Sequence, residues 1–84
     1  MENSIPTMIQ VWTKTDCVYC QLAKAALEDH GLQYDEKIIG VTVNKQDLLN
    51  ILPEAKTVPQ IFVDGKAIGG YNELMSSNLL KKSN

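Results

Sequence analysis

The chain has 84 residues, of which 44% are hydrophobic, and it carries a formal net charge of −2 with no arginine. This length fits one small domain with a thin core, and we expect residues 1–84 to form it, with 1–6 as a leader and 81–84 as a frayed tail. The acidic balance argues against a nucleic-acid partner, and no stretch approaches the ~20 apolar residues that a membrane span needs.

Apolar runs separated by turn residues predict the order β-α-β-α-β-β-α. The first strand, Thr7 to Thr13, is almost continuously apolar, which predicts a central position buried on both faces. The first helix runs from Cys17 or Val18 to Asp29, and Gly31 ends it. Helical spacing predicts a buried face made of Val18, Leu22, Ala25 and Ala26.

The middle of the chain predicts an edge strand and a short helix. Tyr34 to Ile38 carries three charged residues, so we expect it at a sheet edge, parallel to the first strand. Asn44 is the predicted N-cap of a second helix, Lys45 to Ile51 or Leu52, which Pro53 ends. The inward residues of this helix are expected to be Leu48, Leu49 and Leu52.

The last third predicts a hairpin and a third helix. Gln60 to Val63 and Lys66 to Ile68 flank Asp64-Gly65, a two-residue signal for an antiparallel pair. Gly69-Gly70 then ends the strand and allows backbone N–H groups to converge ahead of the helix, an arrangement that suits a carboxylate. The helix is predicted from Tyr71 or Asn72 to about Leu80, with Leu74, Met75 and Leu79 facing inward.

Cys17 and Cys20 are the only cysteines, and they lie at the start of the first predicted helix. Free backbone N–H groups and the helix dipole favour a thiolate at Cys17, and Lys14 adds a nearby positive charge. Cys20 lies one turn later, close enough to attack Cys17. We therefore favour reversible dithiol–disulfide exchange, with Cys17 as the nucleophile and Cys20 as the resolving thiol.

Three other interpretations of the cysteine pair are weaker. A structural disulfide across so short a loop would stabilise by roughly 2 kcal/mol in the chain-entropy model. A zinc site needs four ligands, and the chain adds only His30, which the helix carries away from the pair. The third interpretation is that Cys17 and Cys20 are two buried cysteines with no common function. The first residues lack a secretory signal, so we expect a cytoplasmic protein, in which a cysteine pair is more often catalytic or metal-binding than structural.

Three sequence blocks closely resemble the signatures of the glutaredoxins: residues 13–20 (Thr-Lys-Thr-Asp-Cys-Val-Tyr-Cys), 57–62 (Thr-Val-Pro-Gln-Ile-Phe) and 69–74 (Gly-Gly-Tyr-Asn-Glu-Leu). The resemblance extends from about Met8 to Leu80. It implies a thioredoxin-like α/β fold, with a four-stranded mixed sheet flanked by three helices, and glutathione-dependent thiol–disulfide exchange. It also implies a cis peptide bond before Pro59 and pairing of the Val58 backbone with the cysteinyl part of glutathione.

The resemblance also implies where the two ends of glutathione bind. A lysine matching Lys14 meets the glycyl carboxylate, Lys56 is a second basic candidate, and the γ-glutamyl end lies at the Gly-Gly block. The predicted glutathione site is therefore Lys14, Tyr19, Thr57, Val58, Pro59, Gly70, Tyr71 and Asn72. Two positions depart from the commoner pattern of the family: Val18 stands where proline is usual, and Asn72 where many members have aspartate.

The expected partners are glutathione, as a co-substrate rather than a tightly bound cofactor, and disulfide-containing or glutathionylated proteins. Ribonucleotide reductase is one candidate that the family suggests. We predict no metal site, no nucleic-acid or membrane partner, and a monomer. Two alternatives remain open. One is a dimer that holds a [2Fe–2S] cluster through Cys17 and glutathione. The other is a thioredoxin-like donor fed by a flavoprotein reductase, which would not need the carboxylate site at Gly69-Gly70.

Overall fold

The computed structural model describes residues 8–80, and the predicted order of four strands and three helices is confirmed. The predicted leader and frayed tail, together with Thr7, lie outside the described residues. No helix within residues 8–80 is long and apolar enough to cross a membrane. The elements are β1 (Ile9–Thr13), α1 (Val18–Asp29), β2 (Asp35–Ile38), α2 (Lys45–Ile51), β3 (Gln60–Val63), β4 (Lys66–Gly69) and α3 (Tyr71–Met75).

The four strands form one mixed sheet in the order β2-β1-β3-β4. β1 pairs in parallel with β2 and antiparallel with β3, and β3 pairs antiparallel with β4. The predicted edge position of β2 and the central position of β1 are therefore confirmed. The β3–β4 turn is Asp64-Gly65, in which both residues have positive φ, 52° and 87°. This is the backbone conformation that a two-residue hairpin turn of this composition favours.

Side chains alternate across the two central strands, and this alternation builds two cores on opposite faces of the sheet. Val11 and Ile61 point to the face that α1 and α3 cover, whereas Trp12 and Phe62 point to the face that α2 covers. The sheet is therefore the middle layer of three. The first core contains Ile9, Val11, Ala23, Leu27, Ile61, Leu74 and Leu80, and the second contains Trp12, Leu48 and Phe62.

The predicted buried face of α1 is wrong at Val18, Leu22 and Ala25, which are exposed, and only Ala26 packs against the first core. Val18 is 72% exposed and Leu22 is 42% exposed, whereas the helix buries Cys20, Ala23 and Leu27. Both sets of residues have helical spacing, so the pattern alone does not choose between them. Contact with the sheet decides, because the small side chains Cys20 and Ala23 allow close approach and Leu27 then fills the first core. An apolar stripe that begins beside the cysteine pair is therefore left facing solvent.

The third helix is shorter than predicted. It ends at Met75, which is 42% exposed rather than inward, and Ser76 is its C-cap. The Ser77 hydroxyl donates to the carbonyl oxygen of Leu74 at 2.6 Å, and the Ser77 N–H bonds to the same carbonyl at 3.0 Å. Serine side chains compete with helical hydrogen bonds in this way. The following turn still packs Leu79 and Leu80 against the first core.

The second helix begins as predicted. The Asn44 side chain accepts the backbone N–H of Asp47 at 2.9 Å, and the Asp47 carboxylate accepts the backbone N–H of Asn44 at 2.9 Å. This reciprocal capping box fixes the first turn of α2. Leu48 is buried, and Leu49 and Leu52 are partly buried.

Candidate active site and the family of the chain

Cys17 is the N-cap of α1, at the point where the chain leaves the carboxyl end of β1. Its backbone is extended, and its Sγ accepts the backbone N–H of Cys20 at 3.2 Å. The turn before it contains Asp16, whose φ is +58°. The sulfur is therefore held at the positive end of a 12-residue helix, where negative charge is stabilised.

Cys17 and Cys20 are joined by a disulfide, with their Cα atoms 5.2 Å apart. Cys20 is fully buried in the packed face of α1, whereas Cys17 is partly exposed. An incoming thiolate or disulfide can therefore approach the Cys17 sulfur and not that of Cys20. This difference in access suits the predicted division into nucleophile and resolving thiol.

The loop before β3 lies against the Cys17 sulfur. The Val58–Pro59 peptide bond is cis, as the family resemblance implied, and Pro59 is buried. The Val58 carbonyl oxygen lies 3.8 Å from the Cys17 Sγ. In the disulfide state the sulfur carries no proton, so this is a contact and not a hydrogen bond. Val58 lies outside the paired strands, which leaves its backbone suited to pair with an extended ligand.

A cavity of about 600 Å³ opens beside the disulfide and brings together the predicted glutathione-site residues except Lys14. Tyr19 of α1 and Tyr71 of α3 form part of its wall, with ring centroids 5.6 Å apart and planes inclined at 43°. The cavity is lined by Tyr19, Thr57, Val58, Pro59, Gln60, Gly69, Gly70, Tyr71, Asn72 and Glu73.

The turn before α3 differs from the expected cluster of free N–H groups. The Gly70 N–H is already taken, because it donates to the Glu73 carboxylate at 2.9 Å. A Cβ at Gly69, whose φ is +117°, would lie 2.6 Å from the Glu73 Cγ, and a Cβ at Gly70 would lie 3.2 Å from the Pro59 carbonyl oxygen. Glu73 is a residue that the sequence reasoning missed. Its position three residues after the N-cap Gly70 is the spacing that could have revealed it.

Lys14 lies at a second cavity, of about 200 Å³, on the other side of Val58. Thr57 and Val58 line both cavities, so the strip of backbone beside the Cys17 sulfur separates them. We call the second cavity the lysine groove. It is lined by Lys14, Ile39, Lys45, Leu48, Leu49, Ala55, Lys56, Thr57 and Val58.

The family model of the glutaredoxins matches residues 9–68. Glutaredoxin 3 of Escherichia coli is 36% identical over 66 residues, which cover 79% of this chain and 80% of that protein. The chain belongs to the glutaredoxin family. Family membership makes it a thiol–disulfide oxidoreductase of thioredoxin-like fold.

Other relatives of this glutaredoxin extend the comparison. The hybrid peroxiredoxin hyPrx5 of Haemophilus influenzae is 34% identical over 73 residues, which cover 87% of this chain but 30% of that longer protein. The crystal structure of glutaredoxin 1 from Francisella tularensis superposes with a TM-score of 0.77 at 29% identity, covering 90% of this chain and 99% of that one. A buckwheat glutaredoxin–glutathione complex superposes with a TM-score of 0.66 at 29% identity, covering 83% of this chain and 66% of that one.

Two groups of this glutaredoxin with shifted pKa values lie at the β2 edge, away from the disulfide. The pKa of the Glu36 carboxyl is lowered. Burial alone would raise it, but the hydrogen bonds from Lys24 (2.9 Å) and Thr13 (2.8 Å) stabilise the carboxylate and outweigh that effect. Burial, followed by the hydrogen bond to the Glu28 carboxylate, raises the pKa of the Tyr34 phenol. Both shifts therefore belong to the scaffold.

The described part of this glutaredoxin, residues 8–80, contains no group of three His, Cys, Asp or Glu side chains that could hold a metal ion. His30 is the C-cap of α1 and is exposed, with its Nδ1 2.8 Å from the carbonyl oxygen of Ala26. It lies at the opposite end of the helix from Cys17, as expected.

Proposed function

We propose that this glutaredoxin reduces protein disulfides and glutathione mixed disulfides with electrons from glutathione. The observation that carries the proposal is a partly exposed Cys17 bonded to a fully buried Cys20, beside a cavity of about 600 Å³. That volume falls within the range of about 300–1,000 Å³ typical of small-molecule sites. It suits a tripeptide that must bring its own sulfur to Cys17.

The proposed chemistry begins with the Cys17 thiolate. It attacks one sulfur of the substrate disulfide, and the other sulfur leaves as a thiolate and takes a proton from water. Deprotonated Cys20 then attacks the Cys17 sulfur, releases the second substrate thiolate and closes the Cys17–Cys20 disulfide. The substrate gains two electrons and the protein loses two. A glutathione thiolate then attacks the Cys17 sulfur, which breaks the Cys17–Cys20 bond, releases the Cys20 thiolate and leaves a mixed disulfide on Cys17. A second glutathione thiolate attacks the glutathione sulfur of that mixed disulfide, which releases the Cys17 thiolate and gives oxidised glutathione.

The arrangement around Val58 supports glutathione as the reductant. The cysteinyl backbone of the tripeptide would pair with Val58, which brings its sulfur to Cys17, and its glycyl carboxylate would extend toward Lys14. The γ-glutamyl end would then lie at Tyr71 and Asn72. Within the part of the chain that the structure describes, Glu73 carries the one carboxylate that lines this cavity. It would meet the γ-glutamyl ammonium group that Asn72 cannot neutralise. The buckwheat relative, whose structure is a complex with glutathione, adds support.

The protein substrate is proposed at the level of class. Disulfide-containing and glutathionylated proteins fit the exposed Cys17, with ribonucleotide reductase as one candidate. A peroxiredoxin is a second candidate, because the chain aligns with part of a hybrid peroxiredoxin.

The test is turnover of a glutathionylated peptide with glutathione as the sole reductant. We expect the wild type and Cys20→Ser to be active, because Cys17 alone can take the glutathione from the peptide and a second glutathione can then release it as oxidised glutathione. Cys17→Ser should be inactive. The proposal is wrong if the wild type is inactive with glutathione but is driven by a thioredoxin reductase, which would establish the thioredoxin-like alternative. Inactivity with both reductants, together with a brown colour after reconstitution with iron and sulfide, would instead support cluster binding.

A further inference from the structure

Apart from Lys14, Thr57 and Val58, the residues of the lysine groove have no part in the proposed glutathione site, and the charge and shape of the groove suit a polypeptide. We propose that it docks an acidic, partly apolar segment of the protein substrate, on the carboxyl-terminal side of the substrate cysteine. The inference rests on the proposed function, because it concerns the substrate of the same Cys17 sulfur.

The charge of the groove is opposite to that of the chain. Among the described residues 8–80, three lysines line it, Lys14, Lys45 and Lys56, and no acidic residue does, although the chain carries a net charge of −2. The acid nearest to it on α2 is Asp47, whose carboxylate is engaged in the capping box and lines a different cavity. An acidic segment is therefore attracted at this groove and repelled by the protein as a whole, which orients it during encounter.

Lys45 occupies a position that helix stability does not favour. It is the first residue of α2, where the positive end of the helix dipole disfavours a cation. The reciprocal hydrogen bonds of Asn44 and Asp47 hold this first turn in place. A lysine at the N-terminus of a well-formed helix does not help the helix to fold, so a role in binding explains Lys45 more easily.

The floor of the groove is apolar and supported from beneath. Ile39, Leu48, Ala55 and Val58 line it, and the same residues pack against Trp12 and Phe62 in the second core. Its volume of about 200 Å³ lies below the range typical of small-molecule sites. The groove therefore fits one apolar side chain of a peptide, flanked by carboxylates that reach the lysines.

The groove reaches Val58, the residue that contacts the reacting sulfur. Thr57 and Val58 line both the groove and the cavity beside the disulfide, and the Val58 carbonyl lies 3.8 Å from Cys17 Sγ. Glutathione has only a glycine after its cysteine, so in the proposed binding mode it ends near Lys14. A polypeptide continues past that point along the groove. Lys45 and Leu49 would then contact protein substrates and not glutathione.

The test compares two cyclic peptides that share an internal disulfide and differ in the tail after the second cysteine, Glu-Leu-Glu or Lys-Leu-Lys. Fully reduced protein is mixed with each peptide under single-turnover conditions, and the ratio of the second-order rate constants for reduction of the two peptides is measured. We expect the wild type to prefer the acidic tail about tenfold, as two favourable exposed ion pairs would give. Lys45→Glu should lower the ratio at least about fivefold. The matched control is Lys66→Glu, an exposed lysine of β4 outside the groove, which should retain the wild-type ratio.

Trp12 provides a second readout that does not depend on activity. It is the one tryptophan of the chain, and it packs beneath the groove floor. Addition of an acetylated Glu-Leu-Glu peptide without cysteine should change the Trp12 fluorescence of the wild type and of Lys66→Glu, but not that of Lys45→Glu. Lys45→Glu also places an acid at a helix N-terminus, so misfolding is not the expected cause of a lost response.

If Lys45→Glu and Lys66→Glu lowered the preference for the acidic tail equally, the preference would reflect only the net charge of the protein, and the docking proposal would be wrong. It would also be wrong if the wild type showed no preference between the tails while reducing both peptides. If the wild type reduces neither these peptides nor a glutathionylated peptide, the proposed function fails and this inference fails with it.

Discussion

At the scale of single residues, the site depends on a few positions where backbone conformation and side-chain size leave little choice. Cys17 is the N-cap and Cys20 lies one turn into the buried face of α1, so one sulfur is accessible and the other is not. Gly69 and Gly70 are a second such pair of positions. Because they have no Cβ, the Glu73 side chain can fold back over the turn beside Pro59. Chemistry at Cys17 therefore relies on residues that do not themselves react.

Replacing Gly69 by alanine tests this close approach. The new Cβ would lie 2.6 Å from the Glu73 Cγ on a backbone with φ of +117°, so we expect about 2–4 kcal/mol of destabilisation. Gly40→Ala is the matched control, because Gly40 also has positive φ, +89°, but nothing lies within 4 Å of its Cβ position. Its cost should be about 1 kcal/mol. Urea denaturation measures both, and equal costs would show that the contact with Glu73 is unimportant.

At the scale of elements, one cluster of hydrogen bonds ties three elements together at the sheet edge. Glu36 of β2 accepts from Thr13 of β1 and from Lys24 of α1. The Lys24 and Glu36 side chains are only 19% and 24% exposed, which makes this ion pair less screened than the Lys37–Asp35 pair of the same strand, whose carboxylate is 61% exposed. The cluster anchors β1, the strand that precedes the cysteine pair, and α1, the helix at whose start the pair lies.

Glu36→Gln should destabilise the protein by about 1 kcal/mol at pH 7, after allowance for solvent screening. Hydrogen bonds outweigh burial and lower the pKa of Glu36 below its ordinary value of 4.5. Its stabilising contribution is therefore present above pH 4.5 and is lost as the pH falls through the lower, folded-state pKa. The difference between wild type and variant should shrink in acid. Asp35→Asn is the control, and urea titrations from pH 7 to pH 3 would refute the idea if both variants behave alike.

At the scale of the whole molecule, the two cores share β1 and β3, so they should unfold together. Val11 and Ile61 belong to one core, and Trp12 and Phe62, their neighbours in sequence, belong to the other. A strand cannot lose one face without exposing the other. The cavity beside the disulfide and the lysine groove, both of which extend to the loop before β3, should accordingly persist or be lost as one unit.

Leu27→Ala and Leu48→Ala test this coupling. Leu27 is fully buried in the first core and Leu48 is 3% exposed in the second, so each truncation should cost about 2–4 kcal/mol. Far-ultraviolet circular dichroism and Trp12 fluorescence should report one coincident transition in each variant. Ile51→Ala, at a side chain that is 51% exposed, should change little. Separate transitions for the two probes would contradict a shared core.

The sequence by itself was sufficient to predict the element order, the edge and central strands, the hairpin and the cap of α2. These features depend on local spacing, on turn residues such as Asp64-Gly65, and on the Asn44 cap. The pair Cys17 and Cys20 was also predictable, because a strand, a turn and a helix start are all local. The family resemblance supplied the cis bond before Pro59, which spacing alone does not reveal.

The tertiary structure alone decided which face of α1 is buried, where α3 ends, and what surrounds the disulfide. Val18 and Leu22 have the same helical period as Cys20, Ala23 and Leu27, and only contact with the sheet chooses between the two sets. Glu73 reaches Gly70 N–H because the turn before α3 folds back. Lys45, contributed by α2, lines the same groove as Val58, whose carbonyl oxygen contacts the Cys17 sulfur. Such relations depend on distances between segments far apart in the chain, and periodicity carries no information about them.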